Sequence, residues 1–118
     1  LAHLIEAGAD MFLMPSRYEP CGLNQLYSLR YGTVPVVFRT GGLADSVQQW
    51  NPRTRQGTGL LFEHHDVGGL RWAVETAMGL YQDRRVWRKI MTNGMAKDFS
   101  WPRQIRLYEK LFSRLAAR

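Results

Sequence analysis

The feature that most restricts this sequence is a pair of short apolar runs, Met11-Phe12-Leu13-Met14 and Val34-Pro35-Val36-Val37-Phe38, with a segment of helical spacing between them. Runs of this length read as buried strands, and the second is β-branched as strands prefer. Pro35 is tolerable near the strand start, where a backbone donor can be missing. Between the runs, Leu23, Leu26, Tyr27, Arg30 and Tyr31 recur at helical intervals. Gly32 follows as a C-cap able to take the left-handed conformation. Strand, helix, strand in that order argues for a parallel sheet.

The loop from Pro15 to Leu23 leaves the first strand at its carboxyl end and carries one carboxylate, Glu19. In an open α/β sheet, ligands bind outside the carboxyl ends of the strands. A glycine at a helix start lets a ligand approach free backbone N–H groups, which favour phosphate. Glu19 is therefore expected at a ligand-facing edge, beside an anion site spanning Gly22 to Asn24. The plain alternative is a surface Glu that caps a turn or pairs with Arg17. After the second strand, Arg39-Thr40-Gly41-Gly42-Leu43 forms a second glycine loop, either a nest of N–H groups for an anion or a tight turn. Both loops would open on the same edge. Adding a Cβ at Gly22 or Gly42 is expected to lower ligand affinity more than stability, because backbone must approach phosphate or sugar there. No histidine neighbours Cys21 in sequence, so a packed or backbone-contacting thiol is favoured over a nucleophile. His64 and His65 are adjacent, a spacing that does not put two ligands on one helical face, so a loop or capping role is favoured over a metal site.

Elsewhere, Leu1, Leu4 and Ile5 fit one face of a short helix ending near Gly8, and Leu43 to Val47 fits one helical turn. Residues 48–58 read as a surface loop and Gly59-Leu60-Leu61-Phe62 as a short strand. Asp66 is the expected N-cap of a helix whose stripe is Leu70, Ala73, Val74, Ala77, Met78 and Tyr81. Val86, Trp87, Ile90, Met91 and Met95 mark another helix. Ser100 opens a last one carrying Ile105, Tyr108, Leu111, Phe112 and Leu115, and Arg103 stands where a capping box wants Glu or Gln. The whole predicts one α/β domain of Rossmann type, and 118 residues with 45% hydrophobic content suffice for its core. No apolar run approaches the ~20 residues of a membrane span. A single cysteine excludes an internal disulfide and fits an intracellular setting. The start lacks an initiator Met and reads as mid-helix, so a fragment is expected. Residues 1–83 hold six Lys/Arg against eight Asp/Glu, net −2, and residues 84–118 hold ten against two, net +8. Such a basic end can meet nucleic acid or a membrane surface, but solvated amphipathic helices account for it without any partner.

Several stretches together carry a family resemblance: Pro15-Ser16-Arg17-Tyr18-Glu19-Pro20-Cys21-Gly22-Leu23, Gln25-Leu26-Tyr27, Arg30-Tyr31-Gly32-Thr33, Thr40-Gly41-Gly42-Leu43-Ala44-Asp45, Gly59-Leu60-Leu61-Phe62 and Asp98-Phe99-Ser100-Trp101. In this order, and over essentially the whole chain, they resemble the C-terminal half of bacterial glycogen synthase and plant starch synthase. The resemblance implies a truncated C-terminal domain of a GT-B glycosyltransferase, a Rossmann-like parallel sheet flanked by helices. Residues 1–118 would be a partial nucleotide-sugar-binding domain ending in a helix over 101–117, with the N-terminal GT-B domain absent. It also implies ADP-glucose as donor, an α-1,4-glucan as acceptor, retention of configuration and no metal or other cofactor. Glu19 would be the catalytic carboxylate that contacts donor glucose. Cys21, Gly22, Leu23 and Asn24, with Thr40, Gly41 and Gly42, would bind donor sugar and phosphate. A cytoplasmic location is implied, or the plastid in a plant, with no membrane or nucleic-acid partner.

The sequence departs from that family at Asn24, where Thr is common, and at Phe38, where a basic residue is frequent. The family's Lys-x-Gly-Gly-Leu motif, acceptor site and Arg/Lys clamp on the diphosphate lie upstream and are not in this sequence. An isolated chain is therefore expected to be inactive. Two other readings stand beside it: a stand-alone, non-catalytic nucleotide-sugar or glucan-binding module, and a basic nucleic-acid-associated domain using residues 84–118.

Overall fold

A computed structural model describes residues 1–117. In chain order the elements are α1 (Ala2–Gly8), β1 (Met11–Met14), α2 (Asn24–Tyr31), β2 (Val34–Phe38), α3 (Gly41–Ser46), β3 (Leu60–Phe62), α4 (Val67–Gln82), α5 (Arg84–Met95) and α6 (Trp101–Ala116). The three strands form one parallel sheet in the order β1-β2-β3. Met11 lies opposite Val34 and Met14 opposite Val37; Val36 lies opposite Leu60 and Phe38 opposite Phe62. This is the predicted α/β parallel sheet flanked by helices.

Alternation along β2 and β3 divides the core into two layers. Val34, Val36, Leu60 and Phe62 pack with Ala73 and Ala77 of α4 and with Trp87 and Ile90 of α5. Val37 and Leu61 turn the other way and pack with Met14, Leu43 and Val47. The small residues of α4 let that helix sit close on the sheet. Its start is fixed by Asp66, whose Oδ1 accepts the Gly69 N–H at 2.7 Å, as expected. Gly32 takes the left-handed conformation at the end of α2, with φ of 84°.

Pro35 stands in the central strand without disturbing it. Val34 donates its N–H to Asp10 on the β1 side, and Arg39 donates to Phe62 on the β3 side. Alternation therefore turns the Pro35 nitrogen toward β3, at a level where β3 has not begun: its pairing with β2 starts at Val36 and Leu60. No ladder bond is lost there.

Several expectations are corrected. Strand β1 is an edge strand, not a buried one, and Leu13 is 43% exposed. Leu1, Leu4 and Ile5 face outward, and the inward residue of α1 is Glu6, 3% exposed. On α2 the buried side is Gln25, Ser28 and Leu29, whereas Leu23, Tyr27 and Tyr31 are exposed. Met78 and Tyr81 on α4 and Met95 on α5 are also exposed. Residues 48–58 are more than a surface loop. Trp50 enters the core and donates its backbone N–H to the Gly59 carbonyl, while Gln49 Oε1 accepts the Leu61 N–H at 2.7 Å. The excursion thus returns to cover the outer edge of β3, where unpaired backbone groups would otherwise invite a foreign strand. Ser100 precedes α6, but its hydroxyl does not cap that helix. That hydroxyl, followed by the Ser100 backbone N–H at 2.9 Å, holds the Asp98 carboxyl below its ordinary value, and Arg103 and Arg106 act in the same direction.

Helix α6 buries no residue. Its stripe of Ile105, Tyr108, Leu111, Phe112 and Leu115 is about half exposed or more, with Phe112 at 63%. Each such side chain gains roughly 1.5–3 kcal/mol on full burial, and a helix without tertiary packing is marginal in water. The 118-residue chain is therefore expected to sediment as a dimer or larger species through residues 101–116. Leu111→Glu with Phe112→Glu should return it to a monomer. A monomeric wild type whose α6 amides are protected from exchange would contradict this.

Candidate active site: two glycine loops tied at one sheet edge

Because the sheet is parallel, β1, β2 and β3 all deliver their chains to one edge. The β1 loop, Pro15–Leu23, leads into α2, and the β2 loop, Arg39–Thr40, leads into α3. The two loops meet backbone to backbone. Gly42 donates its N–H to the Glu19 carbonyl at 3.0 Å. A Cβ on Gly41 would lie 2.1 Å from that same carbonyl oxygen, and one on Gly42 would lie 1.9 Å from the Cys21 carbonyl oxygen. Gly41 is also left-handed, with φ of 40°. The geometric need for glycine here comes from the approach of the other loop, so stability as well as ligand affinity depends on it. This corrects, at Gly42, the expectation that an added Cβ would lower ligand affinity more than stability. Gly22 is left-handed too, and a Cβ there would meet the Gln25 side chain at 2.5 Å.

Gln25 locks the arrangement and was missed as a site residue. It is 1% exposed, and its Nε2 shares its two N–H groups among the carbonyls of Cys21 and Gly22, each at 3.0 Å, and Ser46 Oγ at 3.1 Å. Ser46 Oγ in turn donates to the Gly42 carbonyl at 2.5 Å. One buried amide thus joins the start of α2 to the turn opening α3. A third loop is tied in by His65, which follows β3. Its Nε2 meets the Pro15 carbonyl at 2.9 Å, and its ring stands edge-on to Phe38 with centroids 4.9 Å apart. This is the loop role expected of the His64-His65 pair. Arg39 and Glu63, just beyond β2 and β3, form an ion pair at 3.2 Å.

Within this frame the Glu19 side chain is half-buried, and among the described residues it has no hydrogen-bond or ion-pair partner. It does not pair with Arg17. Cys21 is exposed, not packed, and its thiol contacts the neighbouring Gly22 carbonyl at 3.6 Å. Leu23 and Asn24 are exposed at the start of α2, where no side chain caps the first N–H groups. Thr40 precedes α3 and does not cap it either. Uncapped helix starts leave backbone donors for an anion. Glu19, Cys21, Gly41 and Gly42 are thus brought together by direct contact, and Gly22 follows Cys21 in the chain. Leu23, Asn24 and Thr40 adjoin them along the chain. Among the described residues, no three His, Cys, Asp or Glu side chains lie close enough to hold a metal.

Removing the Gln25 amide donors should loosen this frame. Gln25→Leu leaves the partly buried carbonyls of Cys21 and Gly22 and the buried Ser46 hydroxyl without this donor, at about 1–2 kcal/mol. Gln25→Glu should cost more, since a carboxylate would face the same oxygens. Urea denaturation with an unchanged m-value is the measure. A loss under about 0.5 kcal/mol, within the range of ordinary surface substitutions, would show that the amide does not hold the loops together.

Comparison with known proteins adds the following. The family model for glycosyl transferases group 1 matches residues 1–93. The glycogen synthase of Koribacter versatilis is 56% identical over 114 residues, covering 93% of this chain and 24% of the relative. That of Anaeromyxobacter sp. strain Fw109-5 is 55% identical over 117 residues, covering 99% and 24%. Among solved structures, the catalytic domain of starch synthase IV from Arabidopsis thaliana, bound to ADP and acarbose, matches with a TM-score of 0.88 and 37% identity. That match covers 99% of this chain and 24% of the other. The chain therefore spans about a quarter of the length of the relatives it matches.

Proposed function

The chain belongs to the glycosyl transferases group 1 family, and on that premise we propose that it is the donor-binding part of a glycogen synthase. The reaction is transfer of glucose from ADP-glucose to the non-reducing end of an α-1,4-glucan, with retention. The fold similarity to a starch synthase catalytic domain bound to ADP supports the nucleotide-sugar class. The observation that carries the reading is the junction of the two loops. The Gly42 N–H on the Glu19 carbonyl fixes the backbone of a carboxylate beside two uncapped helix starts.

That arrangement suits departure of a diphosphate from a sugar. Backbone N–H groups of residues 22–24 and 41 meet growing negative charge on phosphate without reorganising. Glu19, unneutralised by any neighbour, stands ready for positive charge developing on the glucose ring. The other wall of the cleft, with the acceptor site, is assigned to an N-terminal GT-B domain within the longer relatives. Donor groups and acceptor must both be positioned for transfer, so this chain alone should not turn over. We assign the enzyme to the cytoplasm, or to the plastid in a plant.

The test is glucose incorporation into a maltooligosaccharide by the full-length protein that contains this segment, with ADP-glucose and UDP-glucose in parallel. Transfer from ADP-glucose is expected. Saturable ADP-glucose binding with no transfer would replace the enzyme reading with that of a binding module.

A further inference from the structure

Away from the loop edge, five basic residues line one groove. Arg55, Arg84, Arg85, Arg88 and Lys89, with Thr92, line a depression of about 430 Å³ between α5 and the 51–57 turn. It shares no residue with the loops that carry Glu19 and Gly42. No carboxylate lines it. Asp83, adjacent in sequence, is occupied as the N-cap of α5, with Oδ1 accepting the N–H groups of Arg85 and Val86. The ion pairs among the described residues involve His3, Arg39 and Arg71, and none of the five.

Two features of this groove work against stability. Arg84–Arg88 and Arg85–Lys89 are like charges at i,i+4, a destabilising spacing. Arg84 and Arg85 also stand in the first turn of α5, where the helix dipole favours acids and none is present. Arg55 comes from another element and is held there at a strained backbone. Its φ is 56°, the only positive value on a non-glycine among the described residues. The strain is held by the Arg55 N–H on the Asn51 carbonyl at 2.8 Å and by Asn93 of α5, whose Nδ2 donates to the carbonyls of Arg55 and Gly57. Sequence choices that oppose local stability, together with backbone strain fixed by specific hydrogen bonds, mark functional surfaces.

We propose that this groove binds a small phosphate ester. The cations lie within two turns of one helix plus one loop residue, a cluster sized for a single dianionic group. It is not an extended basic stripe. No aromatic side chain lines it, so the stacking platform that single-stranded nucleic acid uses is missing. A phosphate there would neutralise the like-charge pairs, and guanidinium groups can bind it through two N–H groups at once.

The test is titration of the 118-residue chain at low salt, followed by amide chemical shifts, with inorganic phosphate and ribose 5-phosphate as probes. Saturable binding with a Kd on the order of 1 mM or tighter is expected, with shifts at residues 55 and 84–92. Tighter binding of the ester than of free phosphate assigns the groove to an esterified ligand, and equal binding to phosphate itself. The decisive variant is Arg84→Glu with Arg85→Glu. It turns both i,i+4 spacings into attractive ones, so Tm should hold or rise while affinity falls at least tenfold. Competition by ADP with shifts moving to residues 19–24 would place the ligand on the loop edge and overturn the proposal. So would unchanged affinity in the double variant. A 20-nucleotide single strand that outbinds the ester, with the steep salt slope of many phosphate contacts, would overturn it in favour of nucleic acid. The double-variant and nucleic-acid outcomes do not depend on whether the loop edge binds ADP-glucose.

Discussion

Gly42→Val is expected to destabilise this chain by more than about 3 kcal/mol, enough to unfold a marginal domain. The added Cβ would start 1.9 Å from the Cys21 carbonyl oxygen, and both partners are backbone, so no side chain can swing aside. Separating the loops would also break the Gly42 N–H bond to the Glu19 carbonyl and strand the Gln25–Ser46 chain of hydrogen bonds. Gly79→Ala in α4 is the control. Its Cβ meets nothing within 4 Å, and a mid-helix Gly→Ala gains roughly 0.5–1 kcal/mol. Urea midpoints for the two variants should move in opposite directions. A Gly42→Val midpoint at the wild-type value would mean that the loops do not touch in solution.

Glu19→Ala should act the other way, on turnover and not on folding. The carboxylate has no hydrogen-bond or ion-pair partner among the described residues, so its removal leaves the frame as it was. If it meets charge that develops only as the diphosphate departs, kcat of the full-length enzyme should fall by about two to three orders of magnitude. KM for ADP-glucose should change little. Glu19→Gln, which keeps size and loses charge, should fall nearly as far. Steady-state kinetics with matched melting curves separates the outcomes, and near-normal turnover in either variant would remove Glu19 from the chemistry.

What the sequence disclosed followed local rules. Strand β2 is apolar and β-branched, Asp66 precedes a helical stripe, and Gly32 ends a helix at a position only a flexible backbone tolerates. Each carries its own reason within a few residues. The loop edge was also legible, because a parallel sheet sends every strand end the same way. Gln25 was not. Apolar periodicity ranks Leu23, Tyr27 and Tyr31 as inward on α2, yet those residues are exposed and the amide is buried. Its amide bonds two carbonyls of its own loop and the distant Ser46, and apolar spacing does not register a buried polar side chain. Glu6 and Trp50 were hidden in the same way, by packing against elements distant in sequence. The glycine requirement was found, but its cause lies between two loops and no single stretch contains it. The outward stripe of α6 follows helical spacing like any other, and spacing cannot say whether a surface exists to receive it.

The two rims of the sheet are not equivalent. At the rim where the strands begin, pairing of β2 with β1 starts at Val34 and with β3 only at Val36, and proline fills the gap. At the rim where the strands end, Met14, Phe38 and Phe62 finish within one residue of a common level. The irregular rim also receives the 48–58 excursion, while the level one carries three loops tied to one another. Insertions and deletions during divergence can therefore accumulate at the first rim without tilting the second. A chain built this way can change length on one side while the spacing of its strand-end loops stays constant.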